Sequence, residues 1–139
     1  DFFGNARVLN GILPDAVDQG RIAGMAMAED PGNKTYAGGV PLNTYSFFGQ
    51  QAVSVGVHEG ALERTGVEVQ KQVDSADRRY LKIVLKNNRL AGIFGVNAAF
   101  DPGIMWELIL RAIDLGDDKL AFLRSPQQTA RALMSKNWR

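Results

Sequence analysis

The feature that most constrains this chain is a pair of strand-like runs joined by two asparagines. From Arg79 to Lys86, Leu81, Ile83 and Leu85 alternate with polar neighbours, and Leu90–Val96 leads the chain back. Asn87-Asn88 between them can adopt the left-handed geometry of a tight turn, so the block predicts a β-hairpin. A period of two sends successive side chains to opposite faces, so the hairpin needs further strands and an apolar layer beneath it.

Weaker runs supply those strands. Thr44–Phe48 and Ala52–Val57 flank a predicted Gly49-Gln50-Gln51 turn, with Val53, Val55 and Val57 on one face and Ser54, Gly56 and His58 on the other. Val67, Val69 and Val73 mark another strand, and Glu59–Thr65 reads as a turn or single helical turn. Two helices close the chain. Asp101-Pro102 is an N-cap followed by an N1 proline, ahead of an apolar stripe of Ile104, Met105, Leu108, Ile109, Ala112 and Ile113, with Gly116 as the expected stop. Ser125 with Gln128 reads as a capping box ahead of Ala130, Leu133 and Met134. The fold class is α+β, an antiparallel sheet flanked by helices.

Residues 1–14 read as irregular chain. A helix from about Asp15 to Glu29 follows, with Ala16, Gly20, Ala23, Gly24 and Met27 at steps of three or four. Such a small-residue stripe suits close packing on a neighbour and costs intrinsic helix stability. Ala28–Gly39 is a linker by composition.

The 139 residues hold 16 Lys+Arg and 15 Asp+Glu, one histidine and no cysteine. Balanced charge gives no electrostatic footprint for nucleic acid or a membrane surface. No apolar run reaches the roughly 18–20 residues of a membrane span. Without cysteine, disulfide scaffolds, CxxC redox pairs and thiolate metal sites are excluded from this chain. A lone His58 argues against a histidine metal cluster or a Ser-His-Asp triad. Beside Glu59 it reads either as a general base or as a surface histidine at a strand end. Asp117-Asp118 and Glu29-Asp30 are expected to be solvated turns, and no catalytic or metal residue is assigned. No GxGxxG or GxxxxGK[ST] motif appears among the 15 glycines. Tyr45, Phe47 and Phe48, with Phe2, Phe3, Trp106 and Trp138 elsewhere, read as core or as a cofactor stack. From Lys119 to Arg139 five basic residues stand without an acid, a solvated helix face or a surface for an acidic partner.

Taken in order, the segments resemble the C-terminal part of FAD-dependent pyridine nucleotide-disulfide oxidoreductases, in the branch of NADH oxidases, coenzyme A-disulfide reductases and rubredoxin or nitrite reductases. Gln19-Gly20-Arg21-Ile22-Ala23 matches a QGR-x-A helix that closes their flavin domain. Gly56-Val57-His58-Glu59, then Ala61 and Gly66, resembles the GL-x-E-x-x-A-x-x-x-G entry to their interface domain, and Tyr80–Asn97 resembles its hairpin. The helix within Met105–Gly116 is similar to the one that follows that hairpin.

The resemblance implies that residues 1–40 are the tail of an FAD-binding domain and residues 41–139 an interface, or dimerisation, domain. It implies that Leu13, Pro14, Asp15 and Ala16 start a helix whose backbone faces the pyrimidine edge of the flavin. It places Tyr45, Phe47 and Phe48 on a strand where relatives carry aromatics near the isoalloxazine. No His-Pro motif matches, and His58 does not occupy the place of the disulfide-reductase histidine, which argues against that mechanism. The expectation is a piece of a cytoplasmic flavoprotein that passes electrons from NAD(P)H through FAD to an acceptor. By itself the piece is expected to be inactive and without FAD, since both nucleotide motifs would lie upstream of Asp1. Expected partners are a second copy through residues 41–139, and a redox protein or another subunit. The competing readings are a non-enzymatic α+β dimerisation or interaction module, and a small unrelated enzyme using His58.

Overall fold

The computed structural model describes residues 11–137, and Phe2, Phe3 and Trp138 fall outside them. The chain divides into two compact units, Asp1–Pro41 and Leu42–Arg139.

In the first unit, α1 spans Leu13–Met27, with Pro14 in its first turn. Both ends lie two residues before those expected. The early end has a local cause. Glu29 takes φ 51°, and Glu29 N–H and Asp30 N–H bond back to Ala26 O and Met25 O at 3.2 and 3.0 Å. This is the paired-amide closure that terminates helices in a left-handed residue. The small-residue stripe is exposed at Ala16, Gly20, Ala23, Gly24 and Met27. A methyl group added at Gly20 or Gly24 would meet nothing within 4 Å, so the expected close packing is not what this unit displays.

The second unit is built on a five-stranded antiparallel sheet in the order β1-β2-β5-β4-β3. The strands are β1 Leu42–Phe47, β2 Gln50–Gly56, β3 Val67–Asp74, β4 Arg79–Lys86 and β5 Arg89–Val96. The central hairpin has the predicted bounds, and Asn87 and Asn88 close it at φ 48° and 65°. The β1–β2 turn is shorter than expected. Phe48 and Gly49 make it alone at φ 46° and 75°, and Gln50 and Gln51 join β2. Two residues with positive φ match the right-handed twist of the flanking strands. Gly56, at φ 77°, ends β2, and a Cβ there would lie 2.1 Å from Ala91 O.

Register aligns Val55, Ile93 and Ile83 across three strands. This row, with Leu85, shares the core with Met105, Leu108, Ile109, Leu115, Phe122, Ala130, Leu133 and Met134. Those residues come from α2 Pro102–Leu110, α3 Lys119–Arg124, α4 Pro126–Asn137 and the α2–α3 connection. The α3 helix was not expected; at six residues it is too short to show a period. The α2 start is as predicted, with Asp101 Oδ1 accepting from Gly103 and Ile104 N–H at 2.9 and 3.2 Å. Its end is not. The helix closes six residues before Gly116, because Ala112 turns left-handed at φ 48°. Ala112 and Ile113 N–H bond to Ile109 and Leu108 O at 2.9 and 3.1 Å, again satisfying last-turn carbonyls. At α4, Gln127 Oε1 accepts from the Asp101 amide at 2.6 Å, tying the two helix starts together.

Candidate functional site

Seven residues carry the cofactor expectation, and the chain divides them between its units: Leu13, Pro14, Asp15 and Ala16 in the first, Tyr45, Phe47 and Phe48 in the second.

The α1 start is an open helix end. Ile12, its N-cap, is extended and offers no side-chain acceptor. Ala16 N–H bonds Ile12 O at 3.1 Å and Pro14 has no N–H, so among the described residues the Leu13 and Asp15 amides are left to carry the positive end of the helix. Leu13, Pro14 and Ala16 are exposed while Asp15 is buried, 3% exposed. Burial, and secondarily the neighbouring Asp18 carboxylate, push the Asp15 carboxyl above its ordinary value.

The aromatics are not core. Tyr45, Phe47 and Phe48 are 60%, 44% and 99% exposed. Tyr45 and Phe47 lie opposite Ala52 and Gln50 and so share one face of the sheet. Phe48 is a turn residue rather than the last strand residue, and its ring meets Phe47 edge-on, 6.5 Å between centroids at 88°. The hairpin thus presents three aromatic rings at an edge of the sheet. Beside it runs a groove of about 680 Å³ that includes Tyr45, Ala52, Val53 and Phe100. Periodicity could not reveal this exposure. The same alternation describes a buried face and an open one, and only the sheet order makes β1 an edge strand.

His58 is exposed and its Nδ1 accepts from Gly60 N–H at 3.1 Å, capping the 3-10 turn Glu59–Ala61. That structural task accounts for it. Its neighbour Glu59 instead forms an ion pair with Lys82, whose ammonium sits 5.5 Å from the Phe94 ring centroid. Lys82 holds the Glu59 carboxyl below its usual range. Sequence reading missed this trio, because its members are 12 to 35 positions apart and meet only through strand pairing. Among the described residues no three His, Cys, Asp or Glu side chains gather as a metal group. The C-terminal cations are partly spoken for: Lys119 bonds Glu68 at 2.5 Å and Lys136 reaches Asp118 at 3.4 Å.

The fold is one found in FAD- and NAD-linked reductases. A NAD-dependent persulfide reductase from A. fulgidus superposes on 98% of this chain and 29% of its own, with a TM-score of 0.63 and 18% identity. An FAD-dependent pyridine nucleotide-disulphide oxidoreductase from Desulfovibrio vulgaris covers 86% of this chain and 32% of its own, with a TM-score of 0.55 and 21% identity. In sequence, the chain is 50% identical over 139 residues to the epsilon subunit of an NADH-dependent phenylglyoxylate dehydrogenase from Aromatoleum evansii. The match takes in 99% of this chain and 32% of that protein, so the chain spans about a third of its relative's length. No family model matches. The resemblance drawn from the motifs therefore stands, as does the α+β antiparallel fold it implied.

Proposed function

We propose that this chain is the flavin-wall and interface portion of an NADH-linked flavoprotein oxidoreductase. The observation that carries this reading is the 50% identity, along almost the whole chain, to a subunit named as NADH-dependent. The fold shared with two reductases supports it.

The residues present fit such a role. Uncapped amides at Leu13 and Asp15 suit a group that gains negative charge, because the helix end there is positive. Exposed rings at Tyr45 and Phe47 suit a flat aromatic system. The exposed stripe of α1 suits a close backbone contact. FAD, when bound, supplies hydride acceptance from NAD(P)H and onward electron release. This chain's part is to orient the ring, favour charge at its pyrimidine edge and shield it from water. Residues 1–40 then close a flavin domain and residues 41–139 form a contact with a second copy or another subunit. A cytoplasmic location is part of this proposal. Among the described residues no helix is long and apolar enough to cross a membrane.

Purification decides the matter. The 139-residue chain alone is expected to be colourless and inactive. The longer polypeptide that carries it is expected to purify yellow, and to be bleached by NADH without oxygen. A stoichiometric flavin spectrum from the chain alone would overturn its dependence on other segments. A longer polypeptide that purifies without flavin would overturn the whole reading in favour of a non-enzymatic interaction module.

A further inference from the structure

We propose that the second unit carries a binding groove for a small organic anion, a carboxylate or phosphate on an apolar body. The groove has a volume of about 610 Å³, within the usual range for small-molecule sites. It lies between the free end of the β3–β4 hairpin, the Ala98–Phe100 segment and the α3–α4 junction.

Its charged groups are unequally committed. Asp74 Oδ1 accepts from Ala76 and Asp77 N–H at 3.1 and 3.2 Å, so that carboxylate is held in its own turn. Arg79 Nη2 bonds Asp77 at 2.6 Å and lies 3.8 Å from Asp74. These contacts pin the Arg79 guanidinium at the rim and offset its charge. The Arg124 guanidinium, also lining the groove, has no ion pair or hydrogen bond among the described residues. Of the C-terminal cations, Lys119 and Lys136 have acidic partners, and Arg124 alone lines this cavity. A planar guanidinium with no donor engaged among the described residues matches an oxyanion of two or three oxygens.

Leu81, Phe100 and Pro126 give the groove an apolar strip beside Gln72, Gln127 and Gln128. Leu81 and Phe100 are half-buried there, and Leu81 shares its sheet face with Gln72, its partner on β3. A half-buried leucine and phenylalanine lining one groove suit a hydrocarbon body carried by a charged head. A free inorganic anion would leave that surface wet. The site holds no member of the α1 or β1–β2 groups assigned to the flavin wall.

The test is amide-resolved NMR titration of the full chain with benzoate, phenyl phosphate and neutral benzyl alcohol. Saturable shifts are expected with at least one of the two anions, confined to residues 72–81, 98–100 and 124–128, and the better anion identifies the head group. Arg124→Glu should weaken that binding by about tenfold or more, the size of one charge-assisted contact. Arg131→Glu, the same charge change at an exposed position outside the groove, should leave it unaltered. Benzyl alcohol binding as tightly as the anions would overturn the proposal. So would the absence of saturable shifts, shifts elsewhere only, or equal loss in both variants.

Discussion

Asn88 Nδ2 donates to Asp114 Oδ1 at 2.8 Å, fastening the central hairpin turn to the chain that follows α2. Leu115 N–H reinforces the joint by bonding Asn88 O at 3.0 Å, and Asp114 also accepts from Gly116 N–H at 2.9 Å. These hydrogen bonds, the Gly116 amide first and the Asn88 side chain second, hold the Asp114 carboxyl below its ordinary value.

A pH dependence follows from that joint. A carboxyl whose folded pKa is depressed contributes stability above its unfolded pKa of about 3.9 and loses it as pH falls through the folded value. Asp114→Asn should therefore flatten the acid limb of stability below about pH 4. Urea midpoints across that interval check it, and an unchanged acid limb would contradict the assignment.

Asp15 should behave in the opposite sense. Its folded pKa is raised, so its burial is best tolerated at low pH and becomes unfavourable as pH rises through the folded value. Following the Asp15 carboxyl carbon by NMR should give a midpoint above the ordinary aspartate value of about 3.9. An Asp18→Asn variant should bring the midpoint part of the way down.

Ala112→Gly should stabilise the protein by about 0.5–1 kcal/mol, because glycine takes φ 48° without the steric cost a Cβ brings. Ala112 is exposed, so no packing is lost. Denaturant midpoints test this, and a destabilised variant would show that the α2 terminus is held by something other than backbone geometry.

Gly56→Ala should act in the other direction, costing about 3 kcal/mol or more. The added methyl would sit 2.1 Å from Ala91 O and 2.8 Å from Ile109 Cδ1 at φ 77°. Backbone, core and dihedral all oppose it. A loss under about 1 kcal/mol would mean that β2 ends with more freedom than this contact allows.

Phe48→Ser should leave stability within about 0.5 kcal/mol, since a side chain 99% exposed buries almost nothing to lose. Paired with Phe47→Ser in the longer polypeptide, it should weaken flavin retention or reduction by NADH. Normal flavin content and rate in that double variant would remove the aromatic hairpin from the proposed site.

The sequence by itself determined what depends on neighbours along the chain. The alternation on either side of Asn87-Asn88 set the central hairpin, because two residues able to take positive φ leave the register little choice. Asp101-Pro102 set the start of α2, since a short acceptor side chain before a proline satisfies the first free amides. The QGR-x-A helix, the interface-domain entry and the hairpin, in that order, were enough to suggest a reductase fold. Tertiary structure alone decided what depends on residues far apart. It placed β1 on a sheet edge, turning a stripe that could have been core into exposed rings. It ended α2 at Leu110, with Ala112 left-handed just beyond, so that Asp114 could reach Asn88. It brought Glu59 to Lys82 and left Arg124 lining a groove without a partner. Strand periodicity records that a face exists, whereas what covers that face is a property of the whole assembly of elements.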